Sequence, residues 1–394
     1  MRYIFTPMDL RDLPGDMNSS QRVDERRSII EKELNVELDA LEISPQQMGA
    51  ADERNCEQMF GAVPIPVGLA GPLRIQFSTG EMSDVYLPLA TTEGALVASV
   101  NRGCKAVREA GGVRVSSEYI GITRSIAFEA KDAEAISKKI RALESAWKGV
   151  GEATSGYLKI LSYEIDTKDN VWFLTIAADT DKAMGMNMVT IAGQAVGEFI
   201  SKELGIPFLA VAGNVDSDKK PSARTKARGR GYRVKAEVTL TEETIRTVLK
   251  SEQGALVKTA RAKLQIGSEL AGALGKNLHV ANVIAALYLA TGQDAAHVVE
   301  GSLGDTAAEH DGEGVRFSVE LPAILVGVRG GGTNLPAQRQ CLDMLLKEKT
   351  KLRPSMQLAE TVAGAVLAGE VSLLAALSAN ALAQAHRALG RRKN

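Results

Sequence analysis

The chain has 394 residues, 45% of them hydrophobic and 24% charged, with a formal net charge of −1. That length exceeds the roughly 250–300 residues at which one core usually splits, and near-neutrality leaves no overall field to draw nucleic acid or a membrane surface. Three scattered cysteines, Cys56, Cys104 and Cys341, exclude a disulfide framework and suit a reducing compartment, so a cytoplasmic location is expected. The N-terminus carries no apolar signal core. The most apolar stretch, residues 362–383, is interrupted by Glu370 and falls short of the ~18 uninterrupted apolar residues of a bilayer span, so no membrane segment is expected.

Residues 19–41 mix Arg and Glu with Ile29, Ile30, Leu34, Val36 and Leu38, which predicts a helical N-terminal cap. Residues 55–73 place three prolines and three glycines in an apolar segment, which precludes regular helix and suggests an extended wall that a ligand can approach closely. Residues 86–89 read as a strand. Thr91 or Thr92 then caps a helix that turns Leu96, Val97 and Val100 inward and carries Glu93 in its first turn. Glu93 there is either a capping carboxylate or, once withdrawn from water, a proton donor.

Between residues 123 and 212 the pattern changes to strands over 124–130, 157–166 and 171–178, with helices over 132–147 and 189–204, a split βαβ layout. Before its last helix stands Asp181-Lys-Ala-Met-Gly-Met-Asn-Met188. Gly185 and Asn187 at a helix entrance expose backbone N–H groups to a phosphate or nicotinamide; the bland alternative makes Met184, Met186 and Met188 core filler.

Residues 213–221 read Gly-Asn-Val-Asp-Ser-Asp-Lys-Lys-Pro. Gly, Asn, Asp and Ser favour turns and Pro221 disfavours helix at Lys220, so this is a loop. A lysine held there near a carbonyl neutralises an oxyanion; the alternative is a solvated basic loop. Arg224, Lys226, Arg228, Arg230, Arg233 and Lys235 follow as a basic run. With Tyr232 as its one aromatic, the run suits single-stranded nucleic acid poorly, a phosphate-rich cofactor tail better, and a solvated strand face best.

Residues 241–270 read as one helix capped by Thr241, with Lys263 late in it. A helix over 280–289 ends near Gly292 and leaves Asp294 in a loop. Residues 315–328 form one or two strands, and 330–334 a glycine turn. Neither a GxGxxG fingerprint nor a P-loop occurs, so a dinucleotide is not held in Rossmann fashion. An Ala-rich helix over 356–389 carries Glu370 and His386, then a basic tail through Arg391, Arg392 and Lys393. A lone His386 near a helix end ordinarily complements the dipole. The four histidines are dispersed, and no metal is expected.

Taken together and in this order, these segments resemble the 3-hydroxy-3-methylglutaryl-coenzyme A (HMG-CoA) reductase family. The likeness spans residues 55–386 and is weaker between 130 and 181. Glu57-Gln-Met-Phe-Gly61 resembles its acyl-CoA-binding motif, residues 91–105 its catalytic-glutamate helix, and Met184-Gly-Met-Asn-Met188 its nicotinamide motif. Asp218-Lys-Lys-Pro221 resembles its catalytic-lysine loop, Gly292-Gln-Asp294 its catalytic-aspartate segment, and residues 369–386 its closing helix. The wording is closer to the branch shared by eukaryotes and archaea, class I, than to the degradative bacterial branch.

The resemblance implies an α+β fold. Residues 1–52 form a helical N-terminal region, and 53–122 with 221–394 a large CoA-binding domain. Residues 123–212 form an inserted ferredoxin-like cofactor domain, and 213–220 a catalytic loop. It implies conversion of HMG-CoA to mevalonate by two hydride steps, through a thiohemiacetal and an aldehyde. Lys219 would stabilise the alkoxide, Glu93 supply the proton, Asp294 hold both in one network, and His386 protonate the departing CoA thiolate. Glu57, Arg124, Lys220, Lys263 and Asn282 would bind or order the substrate. Met184, Gly185, Met186 and Asn187 would bind the cofactor. The active sites would be shared between subunits of a homodimer or tetramer.

Several positions depart from the family pattern. Lys182 stands for the usual Asp, Ala212 for a Ser that contacts substrate, and Arg329 for the Val of the glycine turn. The Ser-Arg pair that grips the 2′-phosphate of NADPH has no counterpart near Ala153-Thr154; Lys182 and Arg391 are its replacements, which favours NADPH with NADH as the alternative. The family's phosphoserine beyond the histidine is absent, so no such switch is expected. Ala212 and Lys182 motivate a rival reading, a catalytically weakened binder of acyl-CoA or nucleotide; the basic run motivates a nucleic-acid binder.

Overall fold

The structure is a computed structural model that describes residues 10–379 apart from Asp12. Helix α1 (Ser19–Leu34) opens with a capping box: the Asn18 side chain accepts from the Gln21 N–H, and the Gln21 side chain accepts from the Asn18 N–H. Of the Ile/Leu/Val set of the sequence pattern, its buried face keeps Ile30. Val23, Arg26, Arg27 and Ile30 face inward, whereas Leu34 and Val36 are exposed. Arg26 tolerates burial because it donates to Asp52 at 2.5 Å and to the carbonyls of Leu10 and Met59.

Residues 55–66 run irregularly, as their prolines require, into β1 (Val67–Gln76), which pairs antiparallel with β2 (Met82–Ala90). Helix α2 (Leu96–Glu109) starts later than the capping pattern suggests. Its N-cap is Ala95, left-handed at φ 76°, with no side-chain cap. The Thr91 hydroxyl accepts instead from the Glu93 N–H within a turn ahead of the helix, so Glu93 lies outside the first helical turn and is exposed. A left-handed Ala95 cannot continue a right-handed helix backward.

Strand β3 (Val113–Glu129) is far longer than the 124–130 segment its sequence signals. Its first half pairs with Gly231–Thr241 and its second half with Val171–Asp179 and Phe208–Val211, with Gly121 at φ 92° between them. Ser116, Ser117, Glu118 and Gly121 conceal the first half from an alternation test. In place of one helix over 132–147 stand α3 (Ala133–Ala142) and α4 (Glu144–Glu152), followed by β4 (Lys159–Lys168), β5 (Val171–Asp179), α5 (Met186–Leu204) and β6 (Phe208–Val211). The strand order β4-β5-β3-β6, all antiparallel, is that of a ferredoxin-like split βαβ unit. Its core packs Ile126, Trp147, Leu174 and Val196, with Phe128 stacked on Trp172 at 4.6 Å.

Helix α6 (Ala223–Arg228) leads into β7 (Gly231–Thr241). The single helix suggested over 241–270 is broken at Lys250, left-handed at φ 55°, and α7 (Gln253–Ala260) is followed directly by a π-helical segment, Arg261–Gly267. Then come α8 (Val280–Thr291), α9 (Val298–Gly301), β8 (Asp305–Asp311), β9 (Gly314–Ile324), α10 (Pro336–Leu345) and α11 (Pro354–Ser378). The larger sheet runs β2-β1-β3-β7-β9-β8.

Helix α11 is long and apolar enough to cross a membrane despite Glu370, yet 83% of its most apolar window is buried inside the protein, so it serves as a core helix. Its two buried carboxylates are fully occupied by donors. Glu360 accepts from Ser78 N–H and from the hydroxyls of Ser78 and Ser117; Glu370 accepts from the N–H groups of Leu278 and His279 and from the Thr306 hydroxyl. Glu370 thereby ties α11 to the segment that enters α8.

Candidate active site

The loop after β6 is bent by four non-glycine residues in the left-handed region: Ala212, Asn214, Ser217 and Lys219, at φ 66°, 66°, 54° and 57°. Each costs about 1–2 kcal/mol relative to ordinary backbone, so the surroundings must hold them. The Gly213 N–H donates to the Ser125 carbonyl at 2.8 Å. Arg124 pairs with Asp216 at 3.2 Å and Asp218 at 3.6 Å, and Arg230 with Asp218 at 2.8 Å. The Lys219 N–H donates to Glu300 Oε1 at 2.7 Å, and Lys219 Nζ lies 2.8 Å from Asp294 Oδ2.

Asp294 is placed by the end of α8. Gly292, at φ 68°, terminates that helix, and a Cβ there would collide with the Gly332 carbonyl, which is why the glycine turn at 330–334 can pack against it. The Asp294 carboxylate accepts from the Ala296 N–H and starts a short 3₁₀ turn, Ala295–His297, leading to α9 and Glu300. His297 is wholly buried, with Nδ1 3.3 Å from Glu300 Oε1 and Nε2 3.7 Å from Asp294 Oδ2.

Burial pushes the Asp294 carboxyl up, but the hydrogen bonds from Lys219 and the Ala296 N–H and the nearby positive groups outweigh it, leaving Asp294 below the usual carboxylate range. Asp218 behaves the same way, with Arg230 as the main opposing influence. Asp216, two residues earlier, ends above that range because burial outweighs Arg124 and Arg230. Asp218, His297 and Glu300 bring metal-capable atoms within 4.8 Å of one another. The cation that this cluster holds is the Arg230 guanidinium, whose Nη1 contacts Asp218 Oδ1 at 2.8 Å and Glu300 Oε1 at 2.9 Å.

Lys219 and Asp294 open onto a cleft of about 570 Å³, walled by residues 183–188 and by the glycine turn. That volume suits a small-molecule ligand. Helix α5 starts there at Met186, with left-handed Gly185 as N-cap and no capping side chain, so its first N–H groups remain available to an anionic group. Gly327 packs on the Met184 backbone, where a Cβ would collide, and the Val328 N–H donates to the Lys182 carbonyl at 2.8 Å. The cleft is thus bordered by Met186 of the Ile126–Trp147–Leu174 core and by Gly327, whose neighbours Val326 and Val328 belong to a larger core with Val100, Leu287, Phe317 and Leu367.

Residues 22–391 match the model of the hydroxymethylglutaryl-coenzyme A reductase family. This chain belongs to that family. It is 42% identical over 377 residues to the 3-hydroxy-3-methylglutaryl-coenzyme A reductase of Methanocaldococcus jannaschii, covering 93% of this chain and 92% of the relative. It is 41% identical over 373 residues to that of Methanothermobacter thermautotrophicus, with the same two coverages. Among solved structures, the class II HMG-CoA reductase of Streptococcus pneumoniae bound to NADPH superposes with a TM-score of 0.65 at 17% identity, over 90% of this chain and 96% of that one, a likeness of fold.

Within this HMG-CoA reductase fold the expected site residues fall into separate groups. Lys219, Asp294, Met184, Gly185, Met186 and Asn187 share the cleft. Lys263 does not: with Asn277, Leu278, Leu373 and Leu377 it lines a second cavity of about 230 Å³ that has no residue in common with the first. Glu57 and Glu93 are exposed and line neither cavity, and Asn282 is half-buried early in α8. Arg124 is spent beneath the loop on Asp216 and Asp218, while exposed Lys220 donates to the Asp218 carbonyl. Lys182 is exposed beside the cleft. His386 and Arg391 lie outside the described residues.

Five of the six members of the basic run form ion pairs. Arg224 pairs with Glu164 and Asp166, Arg228 with Glu164, Lys226 with Asp305, Arg233 with Glu118, and Arg230 is buried against Asp218 and Glu300. The pairs of Arg224, Arg228 and Arg233 lie at the surface and Lys235 on β7 is exposed, so the run is in large part a solvated face, with Arg230 as its buried member. Sequence reasoning overlooked Arg230, His297 and Glu300. One usable signal was the 294–300 spacing, which puts a carboxylate, an imidazole and a carboxylate at three-residue intervals on one turn of chain.

Proposed function

We propose that the chain reduces HMG-CoA to mevalonate and free CoA by two successive hydride transfers, with NADPH as the preferred cofactor and NADH as the alternative. The observation that carries this reading is the Lys219–Asp294 pair opening onto the cleft that also holds the Met184–Met188 helix entrance, in a chain of this family. A nicotinamide held at that entrance supplies hydride. Lys219 stabilises the negative charge that develops on the carbonyl oxygen at each step, and Asp294 keeps Lys219 oriented. Glu93 delivers the proton and His386 protonates the CoA thiolate. Glu57, Arg124, Lys220, Lys263 and Asn282 serve substrate binding; the engagement of Arg124 with Asp216 and Asp218 makes its part the setting of the loop.

Glu93 and Lys263 stand apart from the Lys219 cleft in a single chain, which supports sites completed by a second copy in a homodimer or tetramer. Exposed Val63, Val67 and Leu69 on and before β1 supply an apolar strip for such a contact. Identities above 40% to archaeal relatives, against 17% to the class II structure, favour the class I branch. The two hydrophobic cores support a large CoA-binding domain with residues 123–212 as its cofactor-binding insert. The Arg230-centred cluster favours catalysis without a metal, and the scattered thiols favour the cytoplasm.

The test is the loss of NADPH or NADH absorbance with HMG-CoA and purified protein. Turnover with mevalonate as product is expected. A folded protein inert with both cofactors would overturn the reading and leave the weakened acyl-CoA binder in its place.

A further inference from the structure

We propose that Glu300 is a positioning residue for Lys219, fixing the backbone end of the lysine while Asp294 fixes its ammonium end; the inference rests on the reductase reading for its kinetic consequence but not for its structural one. The two carboxylates belong to one short piece of chain, the 3₁₀ turn and α9, which starts with the Asp294 side chain capping the turn and ends with Glu300 wholly buried. Lys219 is therefore clasped along its length. Its N–H donates to Glu300 Oε1 at 2.7 Å, and its Nζ meets Asp294 Oδ2 at 2.8 Å.

His297 sits between the two carboxylates, Nδ1 toward Glu300 and Nε2 toward Asp294, so the turn cannot collapse to bring them closer. Without such a clasp, a lysine side chain 44% exposed on a left-handed residue would sample many rotamers and backbone states.

The carboxylate of Glu300 is used asymmetrically. Oε1 takes Lys219 N–H at 2.7 Å, Arg230 Nη1 at 2.9 Å and His297 Nδ1 at 3.3 Å, while Oε2 has no partner. A glutamate placed only to neutralise Arg230 would present both oxygens to the guanidinium fork. Arg230 instead divides its contacts among Asp218, Glu300, the Thr123 hydroxyl and carbonyl, and the Met186 sulfur. One oxygen of Glu300 at one position does the work. Reach matters more there than charge.

That distinction sets the experiment. Glu300→Gln keeps an oxygen at the same reach and removes the charge; Glu300→Asp keeps the charge and withdraws the oxygen by one methylene. Positioning expects Glu300→Gln to retain kcat within about fivefold and Glu300→Asp to lose about 10- to 100-fold in kcat with KM for the thioester unchanged. The reverse order, with Asp tolerated and Gln crippled, would show that Glu300 merely balances Arg230 and would overturn the proposal.

Amide hydrogen exchange of the intact protein gives a second readout that needs no turnover, and in the parent no variant. The Lys219 N–H, though in an exposed loop, is expected to exchange at least about 100-fold more slowly than in an open chain, and Glu300→Asp to release it without touching the core strands. Free exchange of Lys219 in the parent would sink the idea outright. A protein that protects Lys219 yet turns over neither cofactor would keep the clasp and discard the reductase reading.

Discussion

Lys219 Nζ, on the loop after β6, and Asp294 Oδ2, just past the end of α8, lie 2.8 Å apart, and neither side chain is deeply buried, at 44% and 33% exposed. A pair so exposed contributes little to folding, which makes it a clean target for separating catalysis from stability. Lys219→Ala is expected to lower kcat by about 10²–10³, as for loss of one oxyanion-stabilising donor, with thermal unfolding unchanged within a degree or two. Asp294→Asn retains an acceptor for the Ala296 N–H and so spares the turn, yet removes the charge that orients Lys219. Steady-state kinetics beside a melting curve decide both.

The acid limb follows from the same pair. Asp294 in the folded state sits below its ordinary value, because the Lys219 and Ala296 hydrogen bonds and nearby cations overcome the upward push of burial. Its stabilising contribution is therefore present above the unfolded value, about pH 4, and disappears as pH falls through the folded value. Asp218 carries the same sign, while Asp216, raised chiefly by burial, runs opposite: its contribution is present below the unfolded value and is lost as pH rises through the folded one. The stability difference between parent and Asp294→Asn isolates one of the three. It should be flat from pH 5 to 8, shrink below about pH 4, and stay within ~1 kcal/mol for so exposed a pair. A difference that grew on acidification would contradict the assignment.

Cofactor choice is testable at Lys182, which stands exposed beside the cleft while its carbonyl accepts the Val328 N–H. If its ammonium meets a 2′-phosphate, Lys182→Ala should reduce kcat/KM for NADPH by about tenfold or more, the loss of one charged hydrogen bond, and leave NADH unaffected. Equal losses with both cofactors would move recognition of the phosphate elsewhere.

Parts of this architecture were legible locally. The turn residues of 213–221, the stop of α8 at Gly292 and the entrance to α5 at Gly185 are written in short-range chemistry, although α5 itself starts at Met186, three residues before the expected 189. The first half of β3 was not legible, because a strand shared by two sheets faces different partners along its length and Ser116, Ser117 and Gly121 break any alternation. Nor was the delayed start of α2, since nothing at Ala95 announces a left-handed residue. The pairing of Lys219 with Asp294 came from family resemblance, not from spacing. Arg230 was hidden in a run of like charges, and its burial depends on Asp218 and Glu300, which only the tertiary fold brings to it.

Stability should hinge on Glu370. Its two oxygens accept from Leu278 N–H, His279 N–H and the Thr306 hydroxyl inside the core, so Glu370→Ala strands three donors. At about 1–3 kcal/mol for each stranded buried group, partly relieved by water, Glu370→Ala is expected to destabilise by about 2–5 kcal/mol, whereas Glu370→Gln, which keeps one oxygen, loses less than half as much. Urea unfolding of the two variants gives the comparison. Near-equality of the two would mean that charge, not donor satisfaction, is what α11 requires at this position.

The separation of Glu93 and Lys263 from the Lys219 cleft makes the sharpest claim about assembly. Suppose each working site takes Lys219 and Asp294 from one copy and Glu93 from its partner. Then Lys219→Ala and Glu93→Gln proteins, each inert alone, complement when their subunits are exchanged, because a mixed dimer holds one site with both groups intact and one with neither. An equal mixture makes half of the dimers mixed and half of their sites whole, so about a quarter of the parental activity should return under two-fold symmetry. Recovery at that level would place Glu93 across the subunit boundary. No recovery from demonstrably mixed dimers would require Glu93 to reach the Lys219 cleft of its own chain, by a movement of the exposed turn that now holds it ahead of α2.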